Sequence, residues 1–304
     1  MKWIVGVSVA AVFVGIAATM AIPAQTITPD QAILKLFPPE TQGIAFFDVA
    51  ALRNASLVQD VLVQRAFPPK LADRLAELAA ATGFKPEQDV DRITVGRLGA
   101  REMLAIVEAR YDRFKFEQFL NDKGMQSEAH MGRAVYSREK FAVSFIDNLI
   151  IAGNKDGVTK AIEQLSLPGG VVLRNDLVNA IGTIESGNQV WAVGQFSIDQ
   201  LPPRVPAPAA DLLRTLQGGT YQMRVDQDVH ARATGSFSSA DSAKTLSDMA
   251  RGLIALAKLN VAQQEDILHA LDGLHIQNSG SSVVVILEEP GDLLTRLRDL
   301  RSKK

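Results

Sequence analysis

At 304 residues, with 47% hydrophobic and 22% charged side chains, the chain has enough apolar material for one large domain or two medium ones. A formal net charge of −2 provides no basic excess, which excludes the electrostatic footprint of a nucleic-acid binder. The absence of cysteine excludes disulfides, a thiol nucleophile, cysteine-ligated metals and a lipid-modified cysteine, and it suits an oxidising compartment.

Residues 1–24 have the layout of an export leader. Lys2 carries one positive charge, an uncharged apolar run follows to about Ala21, and small residues come next. Cleavage after Ala21 or Ala24 is one expectation. An uncleaved membrane anchor is the other, because the run approaches the length that spans a bilayer. On either reading the remainder is exported, to the periplasm or to a site tethered by the amino terminus. No other segment is long and apolar enough to cross a membrane.

A first unit is expected over residues 25–166. Thr28-Pro29-Asp30 opens a helix from Gln31 to Phe37, which Pro38-Pro39 ends. Ile44–Val49 is an apolar run of the kind found in central strands. Leu52, Leu57, Val58, Val61 and Leu62 mark a helix cut by Pro68-Pro69. Leu71, Leu75, Leu78 and Ala79 mark another, stopped by Gly83. Asp91–Leu98 and Glu102–Arg110 form a hairpin about Gly99-Ala100. Tyr111–Lys123 is a helix with Phe114, Phe119 and Leu120 as its buried positions, closed by Gly124. Arg133–Tyr136 and Phe141–Ile146 are short strands. Leu149–Ala152 is a buried strand broken by Gly153-Asn154, after which Asp156 caps a helix with Val158, Ala161, Ile162 and Leu165 on one face.

Leu167-Pro-Gly-Gly170 is the expected boundary, since proline and paired glycines punctuate strongly. The second unit, 171–304, replays the first. Asn175–Ile184 is a helix, and Gln189–Phe196 is a strand in the place of Ile44–Val49. Leu201–Pro208 is a proline-rich surface loop, and Ala209–Leu216 is helical. Thr220–Val225 and His230–Phe237 alternate with period two about Asp226-Gln-Asp228, the pattern of a hairpin. Ser239 or Asp241 caps a long helix running to about Leu259, with Leu246, Met249, Leu253, Leu256 and Ala257 inward. Gln264–Leu271 is a second helix, and Leu274–Gln277 with Ser282–Leu287 forms the last strand pair. Glu288–Gly291 breaks the chain before a helix from Asp292 to Leu300, with Leu293, Leu294, Leu297 and Leu300 on one side. The fold expected is α+β: two similar units, each a mainly antiparallel sheet with helices packed on one face, after the amino-terminal segment.

Groups that could carry chemistry are sparse. His130, His230, His269 and His275 have neither the i, i+4 spacing of a helical metal pair nor a finger spacing, and read as unrelated. Ser137-Arg-Glu-Lys140 matches Ser-x-x-Lys but lies between two strands, where it reads as a turn. Asp89 with Asp91, and Asp226 with Asp228, lack the glycine and distal glutamate of a calcium loop and suit turns. Gly153, Gly157 and Gly218-Gly219 belong to no phosphate-binding motif. Trp191 and Phe46-Phe47 should each send one side chain to the core and the next to the opposite side. They line either a packed interior or an apolar groove between sheet and helices.

The run Phe37–Val49, followed by Thr82-Gly83-Phe84 and Asp89–Val95, resembles exported bacterial proteins of unknown function built from repeated α/β units. The resemblance covers the first unit. It implies an envelope location, no activity and no site residue. No catalytic, cofactor-binding or metal-ligating residue is therefore assigned. The function expected is that of a non-enzymatic envelope module that binds or scaffolds. The alternatives are a carrier of an apolar ligand in a sheet–helix groove and a hydrolase with dispersed catalytic residues. The partners expected are an envelope protein or an apolar ligand, with no nucleic acid.

Overall fold

The structure, a computed structural model, describes residues 30–55, 69–195, 211 and 213–293. The expected leader, the helical marks at Leu57–Leu62, the proline-rich loop at 201–208 and the carboxy-terminal helix beyond Leu293 lie outside these residues.

The first half runs α1 (Gln31–Leu34), β1 (Gly43–Asp48), α2 (Val49–Arg53), α3 (Pro69–Thr82) and α4 (Pro86–Asp89). The hairpin β2 (Val90–Arg97) and β3 (Met103–Ala109) follows, then α5 (Arg113–Asp122). A four-stranded meander of β4 (Gln126–His130), β5 (Arg133–Arg138), β6 (Phe141–Ile146) and β7 (Leu149–Asn154) leads into α6 (Lys155–Ser166). The second half runs α7 (Asn175–Gly182), β8 (Val190–Gly194), β9 (Leu216–Val225) and β10 (Asp228–Phe237). It closes with α8 (Ala240–Asn260), α9 (Glu265–Asp272), β11 (Leu274–Ser279) and β12 (Ser282–Pro290).

Helices and antiparallel strands share the chain, as expected of α+β, but the expected pair of sheets is one sheet. All twelve described strands join in the order β11-β12-β10-β9-β8-β1-β2-β3-β7-β6-β5-β4. Every neighbouring pair is antiparallel. The first strand of each half supplies the junction: β1 and β8 pair with Phe46 opposite Trp191 and Gly43 opposite Gly194. Outward from that junction both wings begin with a hairpin and go on to an antiparallel meander, of four strands in the first wing and two in the second, whose last strand lies nearest the centre. The junction forms because both strands are short and apolar; an unpaired edge on either would leave its backbone groups without partners.

Helices cover both faces of this sheet, not one. On one face α1, α6 and α7 bury Ile44, Phe46, Ile106, Ile151, Trp191 and Val193 beneath Phe37, Val158, Ile162, Leu177 and Ile181. Phe46 and Trp191 stack at 5.5 Å there. On the other face α2, α3 and α5 enclose Ile93, Val107, Phe145 and Ile150 with Leu52, Leu78, Phe116 and Leu120. Strands covered on both sides carry apolar residues at successive positions, which is why β6 reads Phe-Ala-Val-Ser-Phe-Ile and is buried throughout.

Local rules explain most boundaries. Asp30, Asp112 and Ser239 each accept a bond from a first-turn amide of α1, α5 and α8. Asp156 does not cap α6. Asn154 occupies that position, its Oδ1 accepting instead from Met103 N–H at 2.8 Å, and Asp156 sits in the first turn. With Asp112 fixing the start of α5, the i, i+4 pair Phe116 and Leu120 faces the sheet, and Phe114 points outward at 74% exposure. In α8 the buried positions are Ala243 and Ser247, whereas Leu253 and Leu256 are 50% and 58% exposed.

Candidate apolar binding face

On the face that carries α2, α3, α8 and α9, the two helical groups stand over strands on opposite sides of the central ones. Val49 and Leu52 of α2 belong to the core over the first wing. Ala243 and Leu246 of α8 pack on Phe237, Ile276, Val283 and Val285 of the far strands. Between them the floor is built of small residues in register around one large one, Tyr221. Ala45 lies opposite Ala192, Ala192 opposite Tyr221, and Tyr221 opposite Ala233. One pleat along, Gly43, Gly194 and Gly219 form a parallel row. On the other side Phe47, Val190, Met223 and Ala231 form a third.

Alternation puts these residues on one face, opposite Phe46 and Trp191. Ala45, Phe47, Ala192, Tyr221, Met223, Ala231 and Ala233 are all only half-buried. Leu216 and Phe237 close the trough at Gly235, where an added Cβ would meet Leu216 Cδ1 at 2.9 Å. One wall is a flank of α8. Arg251 reaches from the opposite flank to Ile276 O, and Lys258 to Asp272, so these two residues mark the side toward the edge strand β11. Leu246 and Leu216 both pack on the cluster of Phe237, Ala243 and Val283. Met249, Leu253 and Leu256 follow Leu246 on that inner flank at helical spacing.

The trough contains one hydroxyl of note. Tyr221 donates to the Met223 thioether at 3.3 Å, and burial raises its pKa. A phenol whose partner is a thioether, a weak acceptor, keeps hydrogen-bonding capacity for something better. The arrangement can hold a flat or extended apolar body over bare backbone, with a single polar group to orient it.

The other groups weighed from sequence do not converge. His130 pairs with Glu163 at 3.0 Å, His230 lies opposite Arg224 on β10, His269 sits on α9 and His275 is exposed on edge strand β11. Ser137 and Lys140 flank the β5–β6 turn, where Glu139 adopts φ 55°. Asp89 accepts from Lys85 N–H at 2.7 Å, Asp91 pairs with Arg110 at 2.6 Å, and Asp226 accepts from Asp228 N–H at 3.2 Å. Among the described residues no group of three or more acidic or histidine side chains is placed to hold a metal ion. No described helix is long and apolar enough to cross a membrane. Phe46 and Trp191 take the core side and Phe47 the trough side, the alternation expected. The glycine and alanine rows are the part sequence reasoning missed. Their signal was small residues at alternate positions in Gly43–Phe47 and Val190–Gly194.

The fold is similar to that of TP0453. Its crystal form III matches with a TM-score of 0.52 and 11% identity over 88% of this chain and 96% of that one. Forms IV and I of the same protein give TM-scores of 0.48 and 0.44. At such identity the likeness is one of fold. No family model matches the chain, and no curated protein matches it in sequence.

Proposed function

We propose that this is an exported, non-enzymatic binding protein whose central trough takes an apolar ligand. The observation that supports it best is the set of rows Gly43–Gly194–Gly219 and Ala45–Ala192–Tyr221–Ala233, half-buried between two helical groups. Ala45, Ala192 and Ala233 give up side-chain volume on one face while Phe46 and Trp191 fill the other, and Gly43 and Gly194 let the β1 and β8 backbones approach closely. The leader at residues 1–24 supports export, to the periplasm or to a tether. The separate settings of the histidines and of Ser137 favour binding over hydrolysis.

The test is native mass spectrometry of gently purified protein together with titration of a solvatochromic hydrocarbon-chain dye. Bound apolar molecules and saturable dye binding are expected. Ala192→Phe and Ala233→Phe, which fill the floor, should abolish both while leaving far-UV circular dichroism unchanged. Empty protein that binds no dye, or filled variants that bind as wild type does, would overturn the reading.

A further inference from the structure

Glu289 lies near the end of β12 on the same face as α9, its side chain 1% exposed. Among the described residues neither carboxylate oxygen has a hydrogen-bond partner. An ionised carboxylate in such a place loses its hydration without replacement. Its surroundings offer little. Opposite it on β10 is Val229, which has no polar side chain. From α9 come His269, with Nδ1 3.9 Å from Glu289 Oε2, and Asp272, which Lys258 of α8 holds at 2.6 Å. Glu288, next in the chain, alternates to the other sheet face opposite His230. Gly273, the C-cap of α9, is pressed against the carboxylate, and a Cβ there would overlap both Glu289 Oε1 and Glu288 O. The helix end is thus seated directly on the acid.

We propose that Glu289 makes the docking of α9 on the sheet proton-linked, so that acid closes α9 over β12 and rising pH loosens it. Two features of the site make this physical. Burial raises the Glu289 pKa, with His269 opposing and Asp272 adding to the shift. And α9 has no fully buried residue of its own, so its seat is shallow enough for one charge to matter. The docked state holds a proton that the undocked, hydrated carboxyl gives up. Docking therefore strengthens as pH falls through the raised value toward the ordinary 4.5, and weakens as pH climbs back. A protonated His269 beside an ionised Glu289 would work in the same direction, so variants must separate the two. The device does not depend on what the trough binds.

Hydrogen exchange of the full chain, read by mass spectrometry on peptides spanning residues 264–273, tests this. Exchange times are scaled for the intrinsic pH dependence of amide exchange. Between about pH 7.5 and about pH 5, wild-type protection should rise several-fold. Glu289→Gln should be protected equally at both, at or above the wild-type acid level, and His269→Ala should keep the wild-type step. Glu289→Met, a second neutral variant, should behave as Glu289→Gln does and serves if that one fails to fold. A wild type without a pH step, or a step that survives neutralisation of Glu289, overturns the proposal. A step lost only in His269→Ala assigns the effect to the imidazole and overturns it equally.

Discussion

Asp48 ends β1 and begins α2, and it carries two opposed demands. Its carboxylate accepts from Ala51 N–H at 2.8 Å, while the residue is 5% exposed. Burial raises its pKa against the pull of that cap bond and of Arg92. A raised folded-state value means that the charged form costs stability at higher pH, a cost that fades as pH falls through that value toward 3.8. Asp48→Asn keeps a capping oxygen and never ionises. It should equal or exceed wild type near neutrality and lack the gain in stability that Asp48 gives wild type as pH falls toward 3.8. Asp48→Ala loses the cap and should cost about 1–2 kcal/mol. Urea melts at several pH values read both. Gly194 is the backbone counterpart, with φ 141° and a Cβ position that would overlap Gly43 Cα and Gln42 O. Gly194→Ala should cost about 1–3 kcal/mol. Gly170→Ala, where nothing lies within 4 Å, should stay within about 0.5 kcal/mol in the same melts.

Among the elements, α8 separates periodicity from burial most clearly. Its apolar residues are spaced as a helix requires, so its existence and its Ser239 start were legible. Its buried side was not, because the small residues Ala243 and Ser247 touch the sheet while Leu253 and Leu256 stand out. Large side chains mark an inward face only where there is space beneath them, and here Val283 and Val285 fill it. Leu253→Ser and Leu256→Ser should therefore shift stability by less than about 0.5 kcal/mol, whereas Ala243→Leu should cost about 1–3 kcal/mol by overpacking. Thermal melts of the three variants decide it. The same reasoning covers β4, whose Gln-Ser-Glu-Ala-His has no apolar alternation because an edge strand with little cover needs none. The candidate trough was half-legible. Phe46 and Phe47 could be sorted to opposite sides by alternation within β1, and Trp191 from its neighbours within β8. The meeting of Gly43, Gly194 and Gly219 depends on register between strands far apart in sequence, which no local pattern carries.

At the scale of the molecule, one sheet replaces two because β1 and β8 pair along their length. Two wings that share a sheet and a Phe46–Trp191 stack should unfold together. In a Trp3→Phe background, the fluorescence of Trp191 and far-UV circular dichroism should give coincident urea transitions. Two separated transitions would mean that the wings are thermodynamically independent despite their seam.

That seam also sets a timetable for the nascent chain. β1 leaves the ribosome early and finds β2 soon after, but its second neighbour is made only when nearly half the chain has followed. Until then one rim of the half-built sheet stays open, with Phe46 bare of its indole partner. Closure waits on the slowest kind of contact, one between remote segments. During synthesis, this unfinished rim is the place where a holding chaperone would be needed most, and where premature pairing with another copy would do most harm.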